Sequence, residues 1–282
     1  MTAILWEDEA DYLYAQGNYD EAIGFYDRAI EANPKDAELW NSRGLALCHL
    51  GRYEEAIESF GKALEIDPEY VDALNNRGVV LYKQKKYAEA IRYFDDIIDM
   101  NPEYVRAWYN KGVIYGKIGN YLEAINHYDK TIELNPGGAK VWSNKGAALG
   151  FLGRYDEAVL CFEAAIELDS ENAEAWNNKG AALGKLGRYD EAMVCFDCAI
   201  EKDPMQSEVW YNKGEALRRQ DKYAEAIQQF DKAIEVDSAY IKAWNGKGLA
   251  LKALGRDAEA DAAFAEAAAK EGEYLAVHDH FE

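Results

Sequence analysis

Cysteine, proline and basic residues are all scarce in this sequence of 282 residues. Its four cysteines follow no regular spacing, so we expect free thiols rather than a disulfide framework, which favours a reducing cytoplasm. Lysine and arginine number 31 against 52 aspartates and glutamates, a formal net charge of −21. So acidic a chain repels nucleic acid and anionic lipid head groups, and neither is an expected partner.

Long apolar runs and the motifs of common catalytic sites are also missing. No segment approaches the roughly 18 apolar residues of a membrane span, and the opening residues lack the basic segment of a signal peptide. The sequence contains no phosphate-binding glycine loop, no nucleophile elbow and no His-Glu-x-x-His motif. We therefore predict a cytoplasmic protein that is not an enzyme and has no cofactor.

Tryptophan, by contrast, recurs with a period of 34 residues, at Trp6, Trp40, Trp108, Trp142, Trp176, Trp210 and Trp244. Leu74 stands where an eighth tryptophan would fall. A unit this short cannot bury its apolar face alone, so neighbouring copies must stack on one another. The period therefore predicts one elongated array of eight similar units.

Each unit reads as two amphipathic helices joined by a short turn. The tryptophan lies on the apolar face of the first helix, helix A, so we expect it to pack in the core. Helix A ends near a glycine such as Gly187. Helix B follows with a glutamate in its first turn, a small alanine and then an aromatic residue, and most copies end at Asn-Pro or Asp-Pro. Glycine four residues after the tryptophan, as at Gly180, lets helices A and B approach closely.

This Trp–Gly–Tyr–Ala–Phe–Pro spacing resembles the tetratricopeptide repeat. The resemblance implies an all-α fold, a right-handed superhelix of about sixteen antiparallel helices in which the A helices line a concave groove. We place the repeats at residues 3–36, 37–70, 71–104, 105–138, 139–172, 173–206, 207–240 and 241–272, within a single domain over 1–282. Residues 273–282 are expected to start a further, capping helix, in which Tyr274, Leu275, His278 and Phe281 cover the last repeat.

Asparagine occupies the position two residues after the tryptophan, called here +2, in five consecutive repeats: Asn76, Asn110, Asn144, Asn178 and Asn212. An amide both donates and accepts hydrogen bonds, so a row of them can hold the backbone of an extended peptide. The row resembles the asparagine ladders of other helical-repeat superhelices. The alternative is that these residues bond to the neighbouring repeat and set the stacking angle.

The other predicted groove positions suggest an acidic peptide ligand. These positions, −2, +1, +5, +8 and +9 relative to the tryptophan, carry four acidic residues in repeats three to seven against seven basic ones: Lys83, Arg106, Lys117, Lys140, Lys185, Arg218 and Arg219. Small residues in the middle repeats predict a roomy centre, which Tyr109, Tyr211 and Phe151 would border as apolar contacts. Solvated surface charges remain the alternative for the basic residues.

Two further columns attract attention. Seven repeats have a basic residue at position +3, and we predict ion pairs with an acidic column on helix B: Glu31, Glu65, Asp99, Glu133, Glu167, Glu201 and Glu235. Cys195 and Cys198 form a Cys-x-x-Cys. Cys161 and His127 occupy the position of Cys195 in the two preceding repeats. Adjacent repeats should lie about 10 Å apart, too far for one metal ion, so no metal site is expected.

The favoured function is a protein-interaction scaffold that binds an extended segment of a partner protein in the groove. Three alternatives remain open: a structural array that associates end to end with other copies, an engineered repeat protein without its own ligand, and a regulatory segment of a larger enzyme. The sequence shows no obvious capping helix at either end, so a segment of a longer protein is a further alternative.

Overall fold

The computed structural model describes residues 3–278, and the side chains of residues 4–273. Over that range the chain is all-α: sixteen helices follow one another through short turns, with no strand between them. The helices of the first four repeats are α1 Ala3–Ala15, α2 Tyr19–Ala32, α3 Ala37–His49, α4 Tyr53–Ile66, α5 Val71–Lys83, α6 Tyr87–Met100, α7 Val105–Lys117 and α8 Tyr121–Leu134. Those of the last four are α9 Ala139–Phe151, α10 Tyr155–Leu168, α11 Ala173–Lys185, α12 Tyr189–Lys202, α13 Ser207–Arg218, α14 Tyr223–Val236, α15 Ile241–Ala253 and α16 Asp257–His278.

The helices group into two compact units, and the chain divides between Pro136 and Gly137. Unit 1 contains α1–α8 and unit 2 contains α9–α16. Within each unit, every odd-numbered helix packs against the even-numbered helix that follows it, and each hairpin packs against the next. The predicted repeat of helix A and helix B is thus confirmed, whereas the single array over 1–282 stays a prediction.

A glycine notch in helix A receives the aromatic ring of helix B in each hairpin from the second to the eighth. A Cβ atom added to Gly180 would lie 2.7 Å from the ring of Phe196, and one added to Gly44 would lie 2.5 Å from the ring of Phe60. Because real Cβ contacts are never that short, only glycine allows this approach. The close packing predicted from the glycine column is therefore confirmed.

The turn between helix A and helix B requires a left-handed residue. Six copies have glycine there with φ between 72° and 81°: Gly17, Gly51, Gly119, Gly153, Gly187 and Gly255. Lys85 and Asp221 take this position in the other two repeats, with φ of 61° and 60°. A side chain in this conformation is strained, so these two turns are expected to be the least stable of the eight.

The tryptophans join helix A to the loop before it and are only half-buried, whereas the sequence suggested a core role. The indole Nε1 donates a hydrogen bond of 2.8–3.2 Å to the backbone carbonyl six residues earlier in Trp40, Trp108, Trp176, Trp210 and Trp244. The fully buried large rings are those of helix B, such as Phe60 and Phe230. The indole therefore shields the edge of the core and fixes the loop.

The basic column at +3 forms ion pairs, but the predicted partners were wrong. Arg43 contacts Asp27 at 2.6 Å, Lys179 contacts Glu163 at 2.9 Å, and Lys111, Lys213 and Lys247 make equivalent pairs with Asp95, Asp197 and Asp231. These acids lie in the middle of helix B, one turn before the predicted column of Glu31, Glu65, Asp99, Glu133, Glu167, Glu201 and Glu235. In an antiparallel pair, the middle of one helix faces the middle of the other, so the last turn of helix B is out of reach.

The expected further helix after residue 272 is not a separate element. Helix α16 continues through Gly272 to His278, because no proline or left-handed glycine interrupts it. Lys270 and Glu273 pair at 3.0 Å along the same helix. The side chains of Tyr274, Leu275 and His278, and the whole of Phe281, lie outside the described residues.

Candidate functional site

The exposed side of the odd-numbered helices is called here the A-helix face. It is formed by positions +2, +5, +8 and +9 relative to the tryptophan of each repeat, for example Asn178, Ala181, Gly184 and Lys185 on α11. Three clefts open on this face, one in unit 1 and two in unit 2. All fifteen residues predicted to bind a ligand lie on odd-numbered helices or in the residue that ends one, Arg219.

The asparagines at +2 bond to the preceding repeat. Asn76 Nδ2 donates to Asn41 Oδ1 at 3.0 Å, and Asn212 Nδ2 donates to Asn177 Oδ1 at 3.0 Å. Asn110 makes the same contact with Asn75 at 3.1 Å. Each such bond ties one hairpin to the next, which supports the stacking role. Since an amide has two N–H groups, the bond leaves a second donor for another partner.

The residues that accept these bonds were assigned wrongly to the exposed face. Asn41, Asn75 and Asn177, at position +1, are at most 7% exposed because the following repeat covers them. Position +1 therefore belongs to the interface between repeats. The adjacent Asn-Asn pairs in the sequence were the available signal, since one buried amide needs another polar group to satisfy it.

Asn178 differs from these three asparagines. The +1 residue of the preceding repeat is Ser143, whose shorter side chain replaces an asparagine. The Ser143 Oγ atom is buried without a hydrogen-bond partner, and the Asn178 side chain makes no hydrogen bond within the described residues. Its whole amide therefore remains available to a ligand. Asn144, the fifth member of the column, is half-buried on α9.

The more apolar cleft of unit 2 lies between α9 and α11 and has a volume of about 240 Å³. Its floor is made of small residues, including Gly146, Ala147 and Gly150, and Phe151 forms one wall. The Phe151 side chain is 71% exposed. Asn178, Lys185 and Tyr155 are the lining residues whose side chains carry polar groups. The small residues of the floor thus leave an open cleft at this part of the A-helix face.

A second cleft of unit 2, of about 150 Å³, lies between α11 and α13 and shares Ala181 and Lys185 with the first. Tyr211, Asn212, Glu215 and Arg219 are among its lining residues. Burial, and next the nearby carboxylate of Glu215, raise the pKa of Tyr211, so its hydroxyl stays protonated and can donate a hydrogen bond. The two clefts together form a continuous surface across three odd-numbered helices.

The cleft of unit 1 lies between α3 and α5 and has a volume of about 190 Å³. Leu45, Cys48 and Val79 give it apolar walls, and Asn76 and Lys83 line it as well. Burial raises the pKa of Cys48 to about 11, so this thiol is neutral at physiological pH. The Lys83 ammonium lies over the Tyr53 ring at 5.6 Å. Unit 1 thus repeats the combination of apolar walls, amide and cation.

Most of the predicted basic residues are exposed: Lys83, Arg106, Lys117, Lys140, Lys185 and Arg219. Arg218 differs, because Glu215 holds it in two hydrogen bonds of 2.8 and 2.9 Å, so its charge is largely neutralised. Tyr109 and Tyr211 are half-buried rather than fully exposed. Phe151 is thus the aromatic residue of the predicted set that presents the most surface.

The cysteines and histidines form no metal site within the described residues. Cys195 is buried and Cys198 is partly buried, and both are free thiols. Burial raises the pKa of Cys195 to about 11, which leaves the thiol protonated and unreactive at neutral pH. Among residues 3–278, no helix combines the length and the apolar composition needed to cross a membrane.

Sequence models of the tetratricopeptide repeat match residues 7–71, 50–104, 105–137, 127–159, 173–205, 207–240 and 241–269, and a model of the TPR repeat matches 152–187. The chain therefore belongs to the tetratricopeptide repeat family, whose members are scaffolds for protein–protein interaction. No curated protein is significantly similar in sequence.

Solved structures with the same fold include several repeat proteins. YrrB, described as a TPR protein with an unusual peptide-binding site, is 25% identical and has a TM-score of 0.59, covering 68% of this chain and 98% of its own. MamA from Desulfovibrio magneticus RS-1 is 25% identical with a TM-score of 0.56, over 60% of this chain and 96% of its own. The C-terminal part of a TPR repeat-containing protein from Cytophaga hutchinsonii has a TM-score of 0.68 at 19% identity, over 85% and 98%, and supports the fold alone.

Proposed function

We propose that the chain binds an extended, acidic segment of a partner protein along the A-helix face. The observation that carries this proposal is the cleft between α9 and α11, where an aromatic ring that is 71% exposed stands beside an amide without an internal partner. Exposing Phe151 to water is unfavourable, and apolar clefts with a few polar groups are the usual form of binding sites. A bulky apolar side chain of the partner fits this cleft.

The backbone of the partner segment would be held by the asparagine column. Asn178 offers both the donor and the acceptor of its amide, which match one peptide group. Asn76, Asn110 and Asn212 have already given one N–H to the preceding repeat, and the Oδ1 of Asn76 also accepts a bond of 3.5 Å from Asn75. Asn178 is therefore the strongest member of the predicted set, and the remaining asparagines serve the stacking of repeats first.

Charge favours an acidic segment. Lys185 borders both clefts of unit 2, and Arg219 lies at the second. In unit 1, Lys83 borders the cleft. These exposed cations lie on a chain of net charge −21, so they form the local exceptions to which an acidic ligand would be steered. The peptide-binding site named for YrrB is in keeping with such a role for a related fold.

A library of random peptides displayed on phage and selected against the full chain tests the proposal. We expect the enriched peptides to combine a bulky apolar residue with acidic neighbours. Phe151→Ser should weaken the selected peptides about tenfold or more, because anchor residues of this kind are worth about 2 kcal/mol. Leu160→Ser is the matched control, since Leu160 on α10 is 65% exposed but lines none of the three clefts.

The asparagines separate ligand binding from stacking. Asn178→Ala should weaken the peptides with little change in thermal unfolding. Asn212→Ala should instead lower stability by about 1–3 kcal/mol, because it leaves the buried Asn177 amide without its donor. Selection of no peptide, or equal binding by wild type and both Phe151→Ser and Asn178→Ala, would contradict the proposal. Light scattering that grows with concentration and is abolished by Phe151→Ser would assign the face to another copy of the chain.

A further inference from the structure

One basic residue of the +3 column lacks the carboxylate that its counterparts contact. Arg43 bonds to Asp27 at 2.6 Å and to Ser59 at 2.7 Å. Arg77 is the equivalent residue on α5, 34 residues later, but the positions that correspond to Asp27 and Ser59 hold Gly61 and Tyr93. Arg77 therefore keeps the positive charge of Arg43 but lacks the equivalents of both its partners, Asp27 and Ser59.

The space left by the missing side chain lies directly beside the Arg77 guanidinium. A Cβ atom added to Gly61 would be 3.5 Å from Arg77 Nη1, an ordinary contact distance. The guanidinium stacks over the Tyr93 ring with its Cζ atom 5.1 Å from the ring centre. The Nε atom is buried and has no hydrogen-bond partner. A buried donor without an acceptor is unfavourable, so this site would gain from an external acceptor.

An open cleft of about 520 Å³ leads to this guanidinium. Ile57 and Leu64 on α4 give it apolar walls, and Lys62 and Glu65 pair with each other at 2.7 Å beside it. Glu58 also lines the cleft and makes no ion pair with Arg77 in this structure. The cleft is thus large enough for one side chain of a partner and the residues next to it. The positive charge of Arg77 favours an acidic side chain.

We propose that this cleft is a second interaction site, which takes an aspartate or glutamate side chain of a partner protein. The carboxylate occupies the space above Gly61 and accepts hydrogen bonds from the Arg77 guanidinium, in the place that Asp27 holds beside Arg43. A fork of N–H donors stacked on an aromatic ring is well suited to a carboxylate. Residues flanking the acid in the partner contact Ile57 and Leu64. The site uses no residue of the A-helix face, so its test is independent of the test of the proposed peptide clefts.

The test uses acetate and the full chain, with the Arg77 Nε–Hε signal followed by NMR. We expect acetate to shift this signal in a saturable way in the wild type. Gly61→Asp supplies the carboxylate internally, so the signal should already be shifted and should no longer respond, and the protein should melt at a higher temperature. Glu58→Gln removes the unpaired acid at the cleft and should strengthen the response to acetate.

A peptide probe extends the test to a protein partner. The acetylated, amidated tripeptide Leu-Glu-Leu should bind the wild type about tenfold or more tightly than Leu-Gln-Leu, since hydrogen bonds to a charged group are the stronger ones. That preference should disappear in Gly61→Asp. Three results would each overturn the proposal. The first is an Arg77 signal that does not respond to acetate, and the second is a response to acetate in Gly61→Asp equal to that of the wild type. The third is an Arg77 signal that Glu58→Gln shifts in the absence of acetate to the position expected on loss of a carboxylate partner, which would identify Glu58 as that partner in solution.

Discussion

Acidification should destabilise unit 1 through a single buried histidine. His127 on α8 is only 8% exposed, and its ring stacks on Tyr115 with the centres 5.1 Å apart. Its Nδ1 atom is buried without a hydrogen-bond partner. Burial, and next the positive charge of Lys111, lower the pKa of His127 from 6.5 to about 4, while Glu123 and Asp95 oppose the shift more weakly. The folded protein therefore keeps this ring neutral at physiological pH.

The sign and size of the effect follow from the two pKa values. The unfolded chain binds a proton at His127 below about pH 6.5, whereas the folded chain binds it only near pH 4. Stability from this group is therefore complete above pH 6.5 and is lost as the pH falls towards 4. One pKa unit corresponds to about 1.4 kcal/mol, so about 3 kcal/mol of the free energy of unfolding disappears across this window.

Two measurements check the prediction. Ring-proton NMR should show His127 titrating near pH 4. Urea unfolding at pH 7.5 and at pH 4 should show that wild type loses about 3 kcal/mol more stability than His127→Gln, whose side chain does not titrate. The carboxylates are the same in both proteins, so their contribution to the loss of stability cancels when the two losses are subtracted. A His127 ring that titrates near pH 6.5, or equal losses in both proteins, would refute the reasoning.

Three smaller predictions concern the repeat itself, each read by thermal or urea unfolding. Gly180→Ala should destabilise by about 1–3 kcal/mol, because its Cβ would lie 2.7 Å from the Phe196 ring. Gly184→Ala is its control: nothing lies within 4 Å of the new Cβ, so alanine should stabilise α11 by up to about 1 kcal/mol. Lys85→Gly should stabilise by about 1 kcal/mol, since it relieves a left-handed lysine. Trp176→Phe should remove the indole bond to the preceding loop and cost about 1 kcal/mol beyond any packing loss. Equal effects of the two glycine variants, or no change in the other two, would contradict these contacts.

The helices, their order and the glycine notches could be predicted from the sequence because they depend on local patterns. A helix needs apolar residues at a spacing of three and four, and a notch needs glycine opposite a ring, as at Gly180. The exposure of the tryptophans was predicted less well. Trp176 is half-buried because its indole reaches back to Ser170 O at 3.0 Å, a contact that depends on the path of the loop rather than on helical periodicity.

The candidate site could also be predicted from the sequence only in part. Lys185 and Phe151 were placed on the A-helix face from their position in the helix alone, and they line a cleft there. The difference between Asn178 and Asn212 could not be predicted from the asparagine column. It depends on whether the residue 35 positions earlier, Ser143 or Asn177, is long enough to meet the amide.

The sequence by itself determined the period of the chain, the two helices of each repeat and the class of fold, because these follow from local patterns of residue types that recur every 34 residues. Only the tertiary structure decided which acids pair with the basic column, which asparagine keeps a whole amide, and that Arg77 lacks a carboxylate beside Gly61. Those outcomes depend on distances between residues 16 to 35 positions apart in neighbouring helices. Packing sets such distances, and a shift of one helical turn is enough to exchange one partner for another.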